Sequence, residues 1–260
     1  MRDLAGRTVL LTGASSGLGP VIARRLRREG ARFVLSGRDR AKLAALAEEL
    51  GESTVVPADL AQRGEAERLA AAAGAVDVLV ANAGLPANGR LVDLAVEHVD
   101  HALDVNLRSA IVLARQLLPG MLERKRGHVL LMASMAGRVP APGSSIYNAT
   151  KFGIRGFGHA LRAELRGTGV GVSLVSPTFV SRSGMWADTG LTASVRETSP
   201  ERVAEACVRA IREDRAEVLV APIEQRIFSR MVLAFPSGFQ RFLSAGAVPD
   251  EAVRRQEEKR

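Results

Sequence analysis

Tyr147 and Lys151 stand four residues apart in Tyr147-Asn148-Ala149-Thr150-Lys151, at the opening of a stretch with helical character. Positions four apart share one face of a helix, so the phenol and the ammonium point the same way. Tyr147 is the only tyrosine in the chain, and Lys151 is one of four lysines among 36 basic residues, the other 32 being arginines. An ammonium is a compact point charge, unlike the planar guanidinium fork. Beside a phenol it favours phenolate, and is expected to lower the phenol pKa from about 10 toward neutrality. A phenol tuned in that way suits proton donation to a carbonyl being reduced, or proton removal from an alcohol being oxidised. Ser134 supplies a hydroxyl thirteen residues earlier, where the β-rich run His128–Ala133 ends. Each feature has a plainer meaning alone, because Tyr-x-x-x-Lys recurs in helices and a serine at a strand end is ordinary.

A second group of residues suggests what would work beside that pair. The run Thr8–Leu11 leads directly into Thr12-Gly13-Ala14-Ser15-Ser16-Gly17-Leu18-Gly19 and then a helix. Glycines at 13, 17 and 19 let the backbone turn sharply and approach a bulky anion, and the helix N-terminus offers unpaired N–H groups. The spacing is G-x-x-x-G-x-G rather than the G-x-G-x-x-G of many dinucleotide sites. A tight strand–helix connection is the plainer alternative. At the end of the next strand the chain reads Leu35-Ser36-Gly37-Arg38, with no acid before Arg38. A carboxylate there would accept the ribose hydroxyls and repel a 2′-phosphate; Arg38 can grip one bidentately. The residues therefore point to NADP(H) over NAD(H), unless Arg38 is one surface arginine among many. Asp39 reads as the cap of the following helix.

These residues need a frame that brings strand ends together. Thr8–Leu11, Arg32–Ser36, Thr54–Pro57, Val76–Ala81, His128–Ala133, Gly171–Ser176 and Glu217–Val220 read as strands, several of them continuously apolar, as in sheets covered on both faces. Helical patterns such as Val21–Arg28, Asp39–Leu50 and Phe152–Arg166 lie between them. This alternation predicts an α/β fold, a Rossmann-like doubly wound parallel sheet of about seven strands with helices on both faces. One domain, residues 1–260, is expected. Residues 181–199 read as a substrate flap with apolar Met185, Trp186 and Leu191, and residues 223–245 as a C-terminal extension of two short helices interrupted by Pro236 and Gly238.

Taken in order, Thr12-Gly13-x-x-x-Gly17-x-Gly19, Asp59, Asn82-Ala83-Gly84, Asn106, Ser134, Tyr147-x-x-x-Lys151 and Pro177 resemble the short-chain dehydrogenase/reductase family, across about residues 7–180. The resemblance implies an enzyme acting on a CH–OH/C=O group with NADP(H). Tyr147 would be the general acid/base, and Ser134 would hold the substrate oxygen. Lys151 would bind the nicotinamide ribose and bias Tyr147. Asn106 would hold a water linking Lys151 to solvent. Gly13, Ser15, Ser16, Gly17, Leu18 and Gly19 would form the phosphate turn, with Ser15 and Arg38 near the 2′-phosphate. Asp59 and Leu60 would meet the adenine, and Asn82, Ala83 and Gly84 its ribose. Pro177 and Val180 would lie beside the nicotinamide, Val180 through its backbone. The family pattern Pro-Gly-x-Val-x-Thr is here Pro177-Thr178-Phe179-Val180-Ser181-Arg182, which leaves the contacts of residues 178 and 182 open; Arg182 could instead approach the diphosphate. A catalytically silent NADP(H) sensor or scaffold is the alternative on the same fold.

Composition narrows the remaining classes. A hydrophobic fraction of 47% supports a sizeable core, and a single cysteine, Cys207, excludes an internal disulfide. The net charge of +8 is spread over arginines in Ala/Glu-rich helices with few aromatics beside them, so no nucleic-acid partner is expected. No run is long and apolar enough to span a membrane, no leader is apparent, and a cytoplasmic location is expected; for 223–245, packing on its own domain or a partner subunit is expected, with lining of a substrate entrance, or peripheral membrane contact through Phe228, Phe235, Phe239 and Phe242, as alternatives. No metal site is expected. The expected partners are a lipophilic carbonyl substrate and further copies of the chain, as a homodimer through the helices around Asn106 and Lys151 or as a homotetramer.

Overall fold

The computed structural model describes residues 3–182, 196–243 and 251. Its strands are β1 (Thr8–Leu11), β2 (Arg32–Leu35), β3 (Ser53–Val55), β4 (Val78–Ala81), β5 (Gly127–Met132), β6 (Val170–Pro177) and β7 (Glu217–Val220). They form one sheet in the order β3-β2-β1-β4-β5-β6-β7, and every neighbouring pair is parallel. This is the doubly wound Rossmann-like architecture that the alternation of elements predicts. Parallel neighbours require long crossovers, and the helical segments supply them.

Two apolar layers sandwich the sheet. On one face, Ile22, Ala23 and Leu26 of α1 (Gly19–Arg27), Leu43, Leu46 and Leu50 of α2 (Arg40–Leu50), and Val203, Cys207 and Ile211 of α7 (Pro200–Arg212) form one core with β1 and β2, α7 lying over β5, β6 and β7. On the other, Leu69 of α3 (Glu65–Ala73), Leu113 and Leu117 of α5 (Ser109–Glu123), and Ile154 and Leu161 of α6 (Ser145–Glu164) cover β4, β5 and β6. Strands β4 and β5 are buried at every residue, which explains why they read as continuous apolar runs rather than alternating ones.

Strand boundaries differ from the sequence pattern by one or two residues. Val76 and Asp77 lie outside β4: the Asp77 carboxylate accepts from the N–H of Thr8, and its own N–H donates to the Thr8 carbonyl. β3 stops at Val55, although the N–H groups of Val56 and Ala58, on either side of Pro57, still donate to the Leu35 and Gly37 carbonyls beyond β2. Asp39 caps α2 as expected, its carboxylate accepting the Lys42 N–H at 3.0 Å. Asn106 sits in a π-helical turn, Asp104–Arg108, between α4 (Val96–Leu103) and α5. The C-terminal segment forms α8 (Ile223–Ala234) and α9 (Pro236–Leu243), broken at Pro236, and the edge of Phe239 meets the ring of Phe228. Residues Met185, Trp186 and Leu191 of the expected flap, and the charged end of the chain, lie outside the described residues.

In an open sheet of this order, the strand sequence reverses between β1 and β4, and a crevice opens there beyond the carboxyl ends of the strands. The carboxyl ends of β1, β4, β5 and β6 carry the residues singled out above.

Candidate active site

The glycine turn is shaped by contacts that leave no room for side chains. Gly13 has φ +65°, a region that L-residues seldom adopt, and a Cβ there would lie 2.9 Å from the Ala83 Cα. At Gly19, φ is ordinary, but a Cβ would come within 2.1 Å of the Gly13 carbonyl oxygen. The turn is stitched to the end of β4. Thr12 Oγ1 accepts from the N–H groups of Asn82 and Ala83, at 3.1 and 3.0 Å. The Asn82 amide donates back to the carbonyls of Thr12 and Gly13. Asn82 and Ala83 therefore hold the first turn against the fourth strand at the switch point. Leu18 precedes α1, whose start has no side-chain cap and whose first turn contains no acid.

The end of β2 completes a basic rim. A Cβ on Gly37 would lie 2.6 Å from Ser15 Oγ, which places the Ser15 hydroxyl beside the backbone leading into Arg38. Arg38, Arg40, Pro57, Ala58, Asp59, Glu65 and Arg68 line a cleft of about 480 Å³. Arg68 is engaged by Glu65 and by the Pro57 carbonyl, whereas Arg38 has no ion pair among the described residues. Asp59 accepts from the Ala61 N–H at 3.2 Å, and Leu60 is buried beneath it. A glycine cradle that a Cβ would fill, an uncapped helix start and an uncommitted guanidinium fit a phosphorylated dinucleotide.

On the other side of the switch point, Ser134, Tyr147, Lys151 and Asn106 converge. Ser134 follows β5, and its hydroxyl oxygen accepts from the Ala136 N–H at 3.1 Å. It hydrogen-bonds Tyr147, at the start of α6. Lys151, only 3% exposed, donates to the Met132 carbonyl at 3.0 Å, and its Nζ lies 5.7 Å from the centre of the Tyr147 ring. Asn106 is buried, with both ends of its amide on one residue: Oδ1 accepts from the Leu85 N–H at 2.7 Å and Nδ2 donates to the Leu85 carbonyl at 2.9 Å. Its Nδ2 also comes within 3.5 Å of Thr150 Oγ1, which ties the segment after Gly84 to α6 at the residue before Lys151. Pro177 closes β6, and Val180 is buried in a parallel bridge to Thr198.

Residues 7–193 match the family model for short chain dehydrogenase. The chain belongs to the short-chain dehydrogenase family. It is an oxidoreductase of that family, similar to Ketoacyl reductase HetN of Nostoc sp., with 38% identity over 230 residues covering 85% of this chain and 80% of the relative. It is 33% identical to an uncharacterized oxidoreductase of Staphylococcus aureus, across 86% of this chain and 100% of that one. Among solved structures, an actinorhodin polyketide ketoreductase with NADPH matches at 31% identity and a TM-score of 0.75, across 85% of this chain and 98% of that one. A serine dehydrogenase complexed with NADP+ matches at 30% identity and a TM-score of 0.73, across 82% of this chain and 93% of that one.

The electrostatics of the dehydrogenase depart from the sequence-based expectation for Tyr147. Its phenol is raised above its ordinary value, not lowered. Burial disfavours the phenolate, and the Ser134 hydrogen bond opposes that only in part. Lys151 is itself pushed down to about 8 by burial. The cation sits near the ring, but burial and the Ser134 hydroxyl, not the cation, set the direction for the phenol. Arg182, whose contacts the sequence leaves open, pairs with Glu201 at the start of α7, at 3.0 Å.

Asn148 is a site residue that the sequence reading passed over. Its amide donates to the carbonyls of Ala136 and Val139, and its Oδ1 accepts from the Ala141 N–H. It therefore pins the loop after Ser134 onto the first turn of α6. Its one sequence signal is an asparagine directly after Tyr147, inside a helix where asparagine has no intrinsic advantage.

Proposed function

We propose that this short-chain dehydrogenase is an NADPH-dependent carbonyl reductase, with a 3-ketoacyl thioester or similar lipophilic ketone as substrate. The observation that carries the reading is the placement of Tyr147: hydrogen-bonded to Ser134, with Lys151 behind it, at the carboxyl edge of the sheet beside the switch-point crevice. The glycine turn, with Ser15, Ser16, Gly17 and Leu18, would hold the cofactor diphosphate. Asp59, Leu60, Asn82, Ala83 and Gly84 would line the adenosine half, Arg38 and Ser15 would take the 2′-phosphate, and Pro177 and Val180 would border the nicotinamide. The nicotinamide supplies the hydride when bound.

The chain's own residues supply the proton. A phenol held above its ordinary pKa keeps its proton at neutral pH and is ready to give it to an oxygen that becomes basic as the carbonyl is reduced. Ser134 can donate to that oxygen while its own oxygen is anchored by the Ala136 N–H. Lys151 is charged at neutral pH, with its pKa at about 8, and steadies the phenolate left on Tyr147. Asn106 holds the backbone at Leu85 beside Thr150, one residue before Lys151, and so shapes the route by which a water could return a proton.

Several observations favour NADPH and a ketoacyl-like substrate. Arg38 stands free where an acid would exclude a 2′-phosphate, and solved relatives carry NADP+ or NADPH. A ketoacyl reductase and a polyketide ketoreductase are among the relatives. The test is absorbance at the reduced nicotinamide band with acetoacetyl-N-acetylcysteamine as substrate. The reading predicts NADPH oxidation with kcat/KM on the order of tenfold or more above that with NADH. Failure of a panel of 3-keto thioesters to be reduced, or equal use of both cofactors, would overturn it.

A further inference from the structure

Thr178 stands directly after Pro177, where the family pattern Pro-Gly-x-Val-x-Thr has glycine, and its hydroxyl has a specific partner. Thr178 Oγ1 donates to Gln225 Oε1 of α8 at 2.6 Å. The amide nitrogen of the same glutamine donates to the Arg196 carbonyl at 2.8 Å. One side chain from the C-terminal helix thus grips both sides of the segment that leaves β6 and returns to α7. Between those two points the strands of the neck are already zipped: the Thr198 N–H donates to the Phe179 carbonyl, and the Ser181 N–H to the Thr198 carbonyl. Val180 bridges to Thr198 within this neck, and the Thr178 N–H donates to the Val220 carbonyl at the end of β7. The neck borders the crevice at the carboxyl end of β6, next to the residues that would face the nicotinamide.

We propose that Gln225 is a positioning residue for the reduction. By bonding Thr178 and Arg196 together, it makes α8 a brace that sets how residues 177–181 stand against the reacting carbonyl. The inference rests on the function proposed above and adds a role for the C-terminal helix that the motifs do not assign. A glutamine suits this place because its amide carries an acceptor and a donor on one rigid plane, and the two partners are a hydroxyl and a carbonyl. Glycine at 178 could not make the bond, so Thr178 and Gln225 form a matched pair. Thr178 is buried, so a lost partner there is not replaced at once by bulk water.

Gln225→Glu separates the two halves of the brace. The carboxylate still accepts from Thr178 but cannot donate to Arg196, and it sets a negative charge against that carbonyl. The expected result is a kcat/KM for acetoacetyl-N-acetylcysteamine lowered about tenfold, with the KM for NADPH within about twofold of wild type, because most cofactor contacts lie at the glycine turn and Arg38. Gln225→Leu and Thr178→Val should each lower kcat/KM, and the double variant should be no worse than the poorer single one, as expected for two groups that act through one bond. Wild-type kinetics in Gln225→Glu, or multiplicative losses in the double variant, would overturn the proposal. If the wild-type protein reduces no carbonyl, the proposed function fails first. The pair is then read by urea unfolding of the same four proteins, where non-additive stabilities support the brace and additive ones refute it.

Discussion

Replacing Lys151 with methionine should make the protein more stable and inactive at once, because the lysine is held in a place that suits chemistry and not folding. Its side chain is buried, and its pKa falls from 10.5 to about 8 through desolvation. At about 1.36 kcal/mol per pKa unit, that depression corresponds to roughly 3.4 kcal/mol of destabilisation wherever the lysine is charged in both folded and unfolded chains. Methionine matches its length and buries no charge. Against the gain stands the hydrogen bond to the Met132 carbonyl at 3.0 Å, whose loss leaves a buried acceptor unpaired at a cost of about 1–3 kcal/mol. The net expectation at pH 7 is a gain of about 0.5–2.5 kcal/mol for Lys151→Met.

The pH dependence gives that number a signature. Between pH 8 and 10.5 the unfolded chain binds this proton more often than the folded one, so wild-type stability rises with pH through that window relative to the variant. By pH 10 most of the penalty is gone, and the advantage of Lys151→Met should shrink by roughly 2.5 kcal/mol and reverse. Urea unfolding of both proteins at pH 7 and pH 10, with no cofactor, measures it. A variant less stable than wild type at pH 7, or an advantage equal at the two pH values, would refute the reasoning.

Two further outcomes follow from the same site. Arg38→Asp removes the uncommitted guanidinium of the basic cleft and adds a charge that repels a 2′-phosphate; the KM for NADPH should rise on the order of 10²-fold while that for NADH falls, and an unchanged KM for NADPH would take Arg38 out of the site. Asn106→Ala strips the half-buried Leu85 N–H and carbonyl of the buried amide that holds both; urea unfolding should show a loss of about 1–3 kcal/mol, and a loss below about 0.5 kcal/mol would mean that water replaces the amide freely.

The fold was legible because its two periodicities are clean. Continuous apolar runs at Val78–Ala81 and Val129–Met132 mark strands covered on both faces, and Pro236 announces the break between α8 and α9. The site was legible in its one-dimensional spacing, since Tyr147 and Lys151 on one helical turn need no tertiary information to share a face. What stayed hidden depends on environment or on distant partners. The rise of the Tyr147 pKa reflects burial, which residue types alone do not give. The π-helical turn at Asn106 has no sequence signature, because its purpose is a bond to Leu85, 21 residues away. Gln225 lies 47 residues from Thr178, in a helix whose composition suggests only packing, and the departure from glycine at 178 gained meaning once the partner was seen. Loops that close over long sequence separations leave no local pattern to read.

The central claim is that Tyr147 gives the proton, and Tyr147→Phe tests it most directly, since it removes one oxygen and leaves the ring beside Lys151. The account predicts loss of carbonyl reduction by a factor on the order of 10³ or more, with NADPH bound at wild-type affinity by fluorescence titration. Turnover within tenfold of wild type in that variant would contradict it.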